Sequence, residues 1–402
     1  MNKSHLIAGF FRYHREKLNY SLRGLVGNGS VVELSSLSDF EHGKRQLHED
    51  QLVYLFKLIG YDYYEVINAY DFEKEYHQIM EWIYLGEIKR AENLYSKCIQ
   101  NNVFHSLGAI SFCLLGYTIG SIRNNINPND LFIENCNHLL ENDQIAVSKM
   151  AKANYMIHLG LFNDAIEILK DADQLTYNPK IRSWICHKYG IVYSFIGNYA
   201  EATVALLEAK NRYAEFLGII RLIQTNLNLG NVYTLTKSYE KAEESYLIAY
   251  ERALMLKEST GLLTKCFNSL CWLYFERNQY DKLKEVIDNK PDNLVESENT
   301  LFVLAWAYYK LGLVDECVKY CKEARNKYLD REYPQVVFTY IENAALGKKT
   351  GQDALLKKAI TMKDYEHNQM IDELFTRELI DIYERRKNYE KAFKYAKKLL
   401  NR

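Results

Sequence analysis

The chain predicts an all-α protein: a small helical head followed by a long solenoid of stacked helical hairpins. Three observations carry this reading. The 402 residues include only 4 prolines and 19 glycines, too few for a disordered or linker-rich chain. Behind residue 76, a small residue, a large neighbour, a turn and a second small residue recur at fixed spacing. Residues 4–69 read as five short helices separated by capping and turn residues.

In the head, helix 1 covers about 5–18. Ser21 is placed to cap helix 2, whose inner face holds Leu22, Leu25 and Val26. Residues 27–30, Gly-Asn-Gly-Ser, make a turn. Helix 3 follows with Leu34, Leu37 and Phe40 spaced for burial, and His42-Gly43 ends it, the glycine in the left-handed position. Helix 4 covers about 49–59 and stops at Gly60; helix 5 covers about 63–70.

The array begins with weaker copies: Trp82, Gly86, Ala91 and Tyr95, then Ala153, Gly160, Ala165, Leu169 and Ala172. Residues 105–140 are helical with few matches, and 124–130 read as a long loop. The clearest copy is Tyr189-Gly190, Tyr193, Gly197, Ala202, Leu206 and Ala209, followed by Leu229-Gly230, Tyr233, Ala242, Tyr246 and Ala249. A third clear copy runs Leu304-Ala305, Tyr308, Gly312, Cys317, Cys321 and Ala324, and further copies extend to Ala392. This is the tetratricopeptide pattern, in which small residues let paired helices cross closely. About nine hairpins are expected, stacked into a right-handed superhelix with a concave groove. The 33 tyrosines suit half-buried positions between stacked helices.

The net charge is −1, so the whole molecule offers nucleic acid no basic field and any contact must come from a local patch. In residues 1–60, eight Lys/Arg (Lys3, Arg12, Arg15, Lys17, Arg23, Lys44, Arg45, Lys57) face six acids (Glu16, Glu33, Asp39, Glu41, Glu49, Asp50). The eight cysteines form no CxxC pair and no zinc spacing. Cys317 and Cys321 read as packing positions, and reduced thiols in a helical array point to the cytoplasm. The apolar run 6–11 is too short for a signal peptide and 108–120 too short to span a membrane. Phosphate-loop, dinucleotide, zinc-protease and nucleophile-elbow motifs are all missing, so no enzyme, cofactor or metal is expected. The basic last helix (Lys391, Lys394, Lys397, Lys398) reads as the solvated face of a cap.

Arg15-Glu16-Lys17, Ser21, Leu25 and residues 38–45 (Ser-Asp-Phe-Glu-His-Gly-Lys-Arg) resemble the Xre/Cro-type helix-turn-helix pattern, and Leu58-Ile59-Gly60 matches its usual end. Such a head, 1–70, on a tetratricopeptide array, 71–402, resembles the RRNPP regulators, peptide-pheromone-responsive transcription factors of Gram-positive bacteria and their mobile elements. The resemblance implies a homodimer that binds a palindromic operator through its heads and a short linear signalling peptide in the groove. It implies DNA contacts from Arg15, Ser21, Glu33, Ser35, Ser36, Asp39, Lys44 and Arg45, with Arg15, Lys44 and Arg45 on phosphate. Leu22 stands where the family usually has glutamine. A rival reading is a scaffold that binds and inhibits a partner protein, with a head that does not bind DNA.

Repeat arrays bind ligands with the first helix of each hairpin. On the standard spacing the inner positions give His187, Gln224, Asn231, Asn268, Trp272, Phe275, Glu276, Trp306, Tyr309, Lys310, Asn343 and Arg377 as peptide-binding residues. Asparagine is a poor helix former, so its recurrence at inner positions points to backbone recognition of an extended peptide, with the aromatic residues choosing side chains.

Overall fold

The computed structural model describes residues 3–26, 30–124, 131–256, 260–291, 294, 296–362 and 369–400. It is all-helical among the described residues. The expected turn at 27–30 lies outside them except for Ser30, and the loop at 124–130 except for Asn124. The chain divides into two compact units, Met1–Lys237 and Ser238–Arg402.

The first unit opens with α1 (Lys3–Lys17), α2 (Leu22–Leu25), α3 (Leu34–Glu41), α4 (Glu49–Leu58) and α5 (Tyr63–Ile67). Hairpins follow: α6 (Glu73–Leu85) with α7 (Ile88–Gln100), α8 (Ala109–Ile122) with α9 (Leu131–Asn135), α10 (Asn142–His158) with α11 (Phe162–Leu175), and α12 (Pro179–Phe195) with α13 (Tyr199–Glu215). The unit ends on α14 (Ile219–Leu235). The second unit begins with α15 (Tyr239–Leu254). It continues with α16 (Thr260–Glu276) and α17 (Tyr280–Asp288), α18 (Glu298–Lys310) and α19 (Val314–Lys327), α20 (Glu332–Ala345) and α21 (Gln352–Thr361), and α22 (Gln369–Arg385) and α23 (Tyr389–Leu400). Eighteen described helices thus follow the head, α6 to α23, in keeping with the roughly nine hairpins read from sequence.

The hairpin turns share one device. A residue in the left-handed region closes the first helix, and the following amide donates to the carbonyl five residues back, from Asn198 N to Tyr193 O at 2.9 Å beyond Gly197, which has φ +79°. The same bond recurs beyond Gly86, Gly160, Gly312 and Gly347, and also where the left-handed residue is Asn278 or Lys387. The crossing of α12 and α13 depends on Gly190, where a Cβ would come within 2.4 Å of Leu206 Cγ. Cys317 and Cys321 are buried at the equivalent crossing of α18 and α19.

The head is not a separate ball. Phe10, Phe11, Phe40, Leu55 and Phe56 form its core, each large ring contributing ~2–3 kcal/mol by burial. That core continues into the first hairpins. Gly9 of α1 lies so close to α8 that a Cβ would sit 2.9 Å from Ile110 Cδ1. Tyr13 stacks on Phe104 with centroids 5.4 Å apart. The sequence places a boundary after residue 70, whereas the compact units part at 237/238, because α1 is buried against α8. Leu34 also departs from expectation: at 37% exposure it faces solvent, while Leu37 and Phe40 fill the core.

His14 ties the head to the array by donating from Nε2 to the Phe104 carbonyl at 2.7 Å. Burial holds its pKa down at about 4, against the partial support of that carbonyl. Because the folded state binds this proton only below about 4 and the unfolded chain binds it below its ordinary 6.5, stability falls as pH drops through that window. Urea midpoints at about pH 7 and about pH 5 should therefore separate more for the wild type than for His14→Gln. Equal separations would remove His14 as the source.

Candidate functional site

In the head, Ser21 caps α2 as expected, its Oγ accepting from Gly24 N at 3.0 Å. Helix α3 presents Glu33, Leu34 and Ser35 to solvent, with Lys44 and Arg45 exposed just beyond its end and Asp39 half-buried. Two expected DNA contacts are spent inside the protein. Arg15 is buried and grips Glu41 with both ends of its guanidinium, Nε to Oε1 at 2.5 Å and Nη2 to Oε2 at 2.7 Å, while Nη1 donates to Tyr20 O at 2.7 Å. It locks α1 to α3 and has no reach to a phosphate. Ser36 is buried and accepts from Arg45 Nη1 at 2.8 Å, so it positions Arg45. Beyond the charge pair, His138 bonds the Glu41 carbonyl at 2.9 Å and stacks on His42, covering the end of α3 with residues of the second hairpin.

The expected peptide residues fall in both units. In the first, His187 is buried between Thr225 Oγ1 and Asn228 Nδ2, each 3.0 Å away. The Asn228 amide donates to Nε2, so Nδ1 carries the proton and donates to Thr225, whose own hydroxyl donates to the Arg221 carbonyl at 2.7 Å. Burial, aided by Arg221 and Lys188, holds the His187 pKa well below its ordinary value, so the ring is neutral. Gln224 accepts from Arg221 at 3.2 Å, and Asn231 is exposed.

In the second unit, Asn268 is half-buried and its Oδ1 has no hydrogen-bond partner among the described residues. The aromatic residues do not stand as open walls. Trp306 is 0% exposed, packed on Phe302, Tyr309 and Phe375, and Phe275 is buried between Trp272 and Phe302. Their rings find one another across α16, α18 and α22, which gains more apolar contact than facing an empty groove. Trp272 and Tyr309 remain half-exposed at the edge of this cluster. Lys310, expected to hold a carboxylate, already holds Glu378 at 2.7 Å, and Glu378 also accepts from Tyr340 at 3.0 Å. Glu276 accepts from Tyr239 at 3.2 Å; Asn343 is half-buried and Arg377 exposed.

Sequence reasoning missed two features of the first unit. One is a cavity of ≈ 470 Å³ between the inner helices α6, α8, α10 and α12, floored by Phe72, Met80 and Phe112 and rimmed by carboxylates including Glu73, Glu81 and Asp143. Its polar groups lie along α6 (Glu73, His77, Glu81) and around the first turns of α10 and α12 (Asp143, Gln144, Lys180). The other is Arg221, which returns from α14 to the C-terminal end of α6. Its Nη2 donates to Ile83 O at 2.6 Å, which also accepts from Gly86 N at 3.2 Å, and its Nε donates to Tyr84 O at 3.2 Å, so a cation sits on carbonyls at the helix end.

Among the described residues, no group of His, Cys, Asp and Glu is arranged to hold a metal ion, and no helix is long and apolar enough to cross a membrane.

No family model and no curated protein matches the sequence. Solved structures do match in fold. The apo form of RapI is 15% identical, with a TM-score of 0.60 over 80% of this chain and 94% of that one. The apo quorum sensor NprR from B. thuringiensis is 12% identical, with a TM-score of 0.57 over 82% and 97%. A Rap protein complexed with competence and sporulation factor is 15% identical, with a TM-score of 0.53 over 81% and 96%. At these identities the likeness is one of architecture, and this chain shares the all-helical repeat fold of Rap and NprR proteins.

Proposed function

We propose that the chain is a peptide-responsive transcription regulator of the RRNPP type, a dimer whose head binds operator DNA and whose repeats bind a short linear peptide. The peptide half rests on Asn268. An amide oxygen shielded from water without a donor costs about 1–3 kcal/mol, and a peptide N–H supplies that donor. The neighbouring fold includes a structure that holds a signalling factor. Calorimetry with short linear peptides, including any short secreted one that a search of the neighbouring genes turns up, tests the assignment: Asn268→Ala is expected to weaken binding about tenfold, the value of one such bond. Unchanged affinity would remove Asn268 from the site.

The DNA half rests on α3, held against α1 by Arg15 and Glu41, with Lys44 and Arg45 exposed at its end. In this reading Glu33, Ser35 and Asp39 approach the bases and Lys44 and Arg45 the phosphates. The Lys44→Ala/Arg45→Ala protein should bind all sequences more weakly and lower the salt slope by about one to two. A mobility shift on the upstream region that is identical for both proteins at every salt concentration would exclude this placement. The second reading, a repeat scaffold that binds and inhibits a partner protein with a head that does not bind DNA, is favoured by the apolar residues Leu18, Tyr20, Val31 and Leu34 exposed on the head. It predicts no shift with DNA.

A further inference from the structure

Polar side chains that bond one another in succession encircle the cavity between α6, α8, α10 and α12. Glu81 on α6 takes the Lys180 ammonium of α12 on its two oxygens, at 2.6 and 2.5 Å. Asn178, the N-cap of α12, accepts from Lys180 N at 3.0 Å and donates to Asp143 Oδ2 at 3.1 Å. Gln144, next to Asp143 on α10, donates from Nε2 to the Tyr76 hydroxyl of α6 at 3.2 Å. These six residues line the same cavity, above its apolar floor of Phe72, Met80 and Phe112.

The ring leaves two things over. One is negative charge. Asp71, Glu73, Glu81, Glu141 and Asp143 line the cavity against a single ammonium, Lys180, and the imidazole of His77. Lys180 is spent on Glu81. Asp143 is half-buried and its partners are neutral, Thr176 Oγ1 at 2.5 Å and Asn178 Nδ2. The other is a hydrogen. Glu141 N donates to Gln144 Oε1 at 3.1 Å, which turns Nε2 towards Tyr76 and makes the tyrosine oxygen the acceptor. Tyr76 is 8% exposed, and burial pushes its pKa up to about 12, so the hydroxyl keeps its own hydrogen. No acceptor takes that hydrogen among the described residues.

We propose that this cavity binds a small organic cation, an ammonium with a hydrogen-bond acceptor beside it on an aromatic or other apolar body. The ammonium pairs with Asp143, the acceptor takes the Tyr76 hydrogen, and the body covers the floor. An anionic ligand would face five carboxylates, and a wholly apolar one would leave a buried donor unpaired. At ≈ 470 Å³ the cavity has the size of pockets that hold small ligands. The site lies in the first unit and does not rest on the peptide reading, which is carried by Asn268 in the second.

Calorimetry on the full chain tests the site with three probes of one size. Phenylethanolamine carries the ammonium, the hydroxyl acceptor and the ring. Phenylethanediol, with a hydroxyl in place of the ammonium, should bind about tenfold more weakly or worse, the worth of a charge-assisted bond. Phenethylamine, without the acceptor, should bind roughly fivefold more weakly, the worth of a neutral one. Tyr76→Phe, which keeps the ring and its packing, should erase the difference between the two amines and keep the preference for amine over diol. Asp143→Asn, which keeps an oxygen for Thr176, should erase that preference. A wild type that binds amine and diol equally, or binds neither, overturns the proposal, and so does a folded Asp143→Asn protein that still prefers the amine. Where Asp143→Asn does not fold, Tyr76→Phe decides: an unchanged difference between the amines overturns the site. Phenylalanyl-glycinamide at about pH 6, where its amine is protonated, gives the source of the cation. Binding that Tyr76→Phe weakens assigns a peptide N-terminus; binding of the free amines alone assigns a small molecule.

Discussion

Replacing Glu41 by alanine is expected to destabilise the N-terminal unit by roughly 3–5 kcal/mol, the cost of stripping a buried ion of its partner. Glu41 is 1% exposed and its two oxygens both accept from Arg15. Without them the guanidinium keeps only the Tyr20 carbonyl and the more exposed Glu16 carboxylate. The loss should appear in urea unfolding of the full chain as an earlier first transition, because α3 loses its anchor to α1; on the DNA-binding reading proposed above, a mobility shift should weaken with it. Arg15→Met/Glu41→Leu separates charge pairing from packing: it restores most of the stability if the penalty of Glu41→Ala is an unpaired charge. If Glu41→Ala unfolds like the wild type, the pair contributes nothing net.

The second large effect is expected at Gly190. A valine there places its Cβ at the position 2.4 Å from Leu206 Cγ and 2.6 Å from Cδ2, a distance no side chain tolerates. Either Leu206 leaves its rotamer or α12 and α13 move apart, and overpacking of this kind costs about 1–3 kcal/mol. Gly190→Val/Leu206→Ala should recover part of the loss, since it removes the colliding branch. Additive losses in that pair would mean the collision is with something other than Leu206.

These two sites differ in how far the sequence reveals them. Gly190 was legible because the repeat places a small residue beside a large one in helix after helix, and close crossing is the physical reason for that pattern. The turns were legible where glycine marks them, at 86, 160, 197 and 312, and not at Asn278 or Lys387, which adopt the same left-handed conformation without a sequence signal. Arg15 was legible as an important head residue but with its role inverted. A basic residue near a predicted recognition helix suggests phosphate, and only the fold shows Glu41 opposite it. Spacing located the inner positions of the aromatic residues, yet Trp306 and Phe275 bury one another, because contacts between rings on different helices are set by packing that a single-helix pattern does not contain.

The grip of Arg221 on α6 also changes how the first unit should assemble. A repeat array normally has low contact order, with each hairpin reporting only to its neighbours. Here residues 138 positions apart are bonded, and closing so long a loop in an unstructured chain costs about 4 kcal/mol in entropy beyond a constant term. One hydrogen-bonded side chain cannot repay that. The clasp therefore closes late, after the intervening hairpins have stacked and shortened the gap. An interaction made after the folding barrier leaves the folding rate almost untouched and slows unfolding instead. Arg221 thus acts as a kinetic latch, setting how long the first unit stays folded while the rate of its formation is set elsewhere.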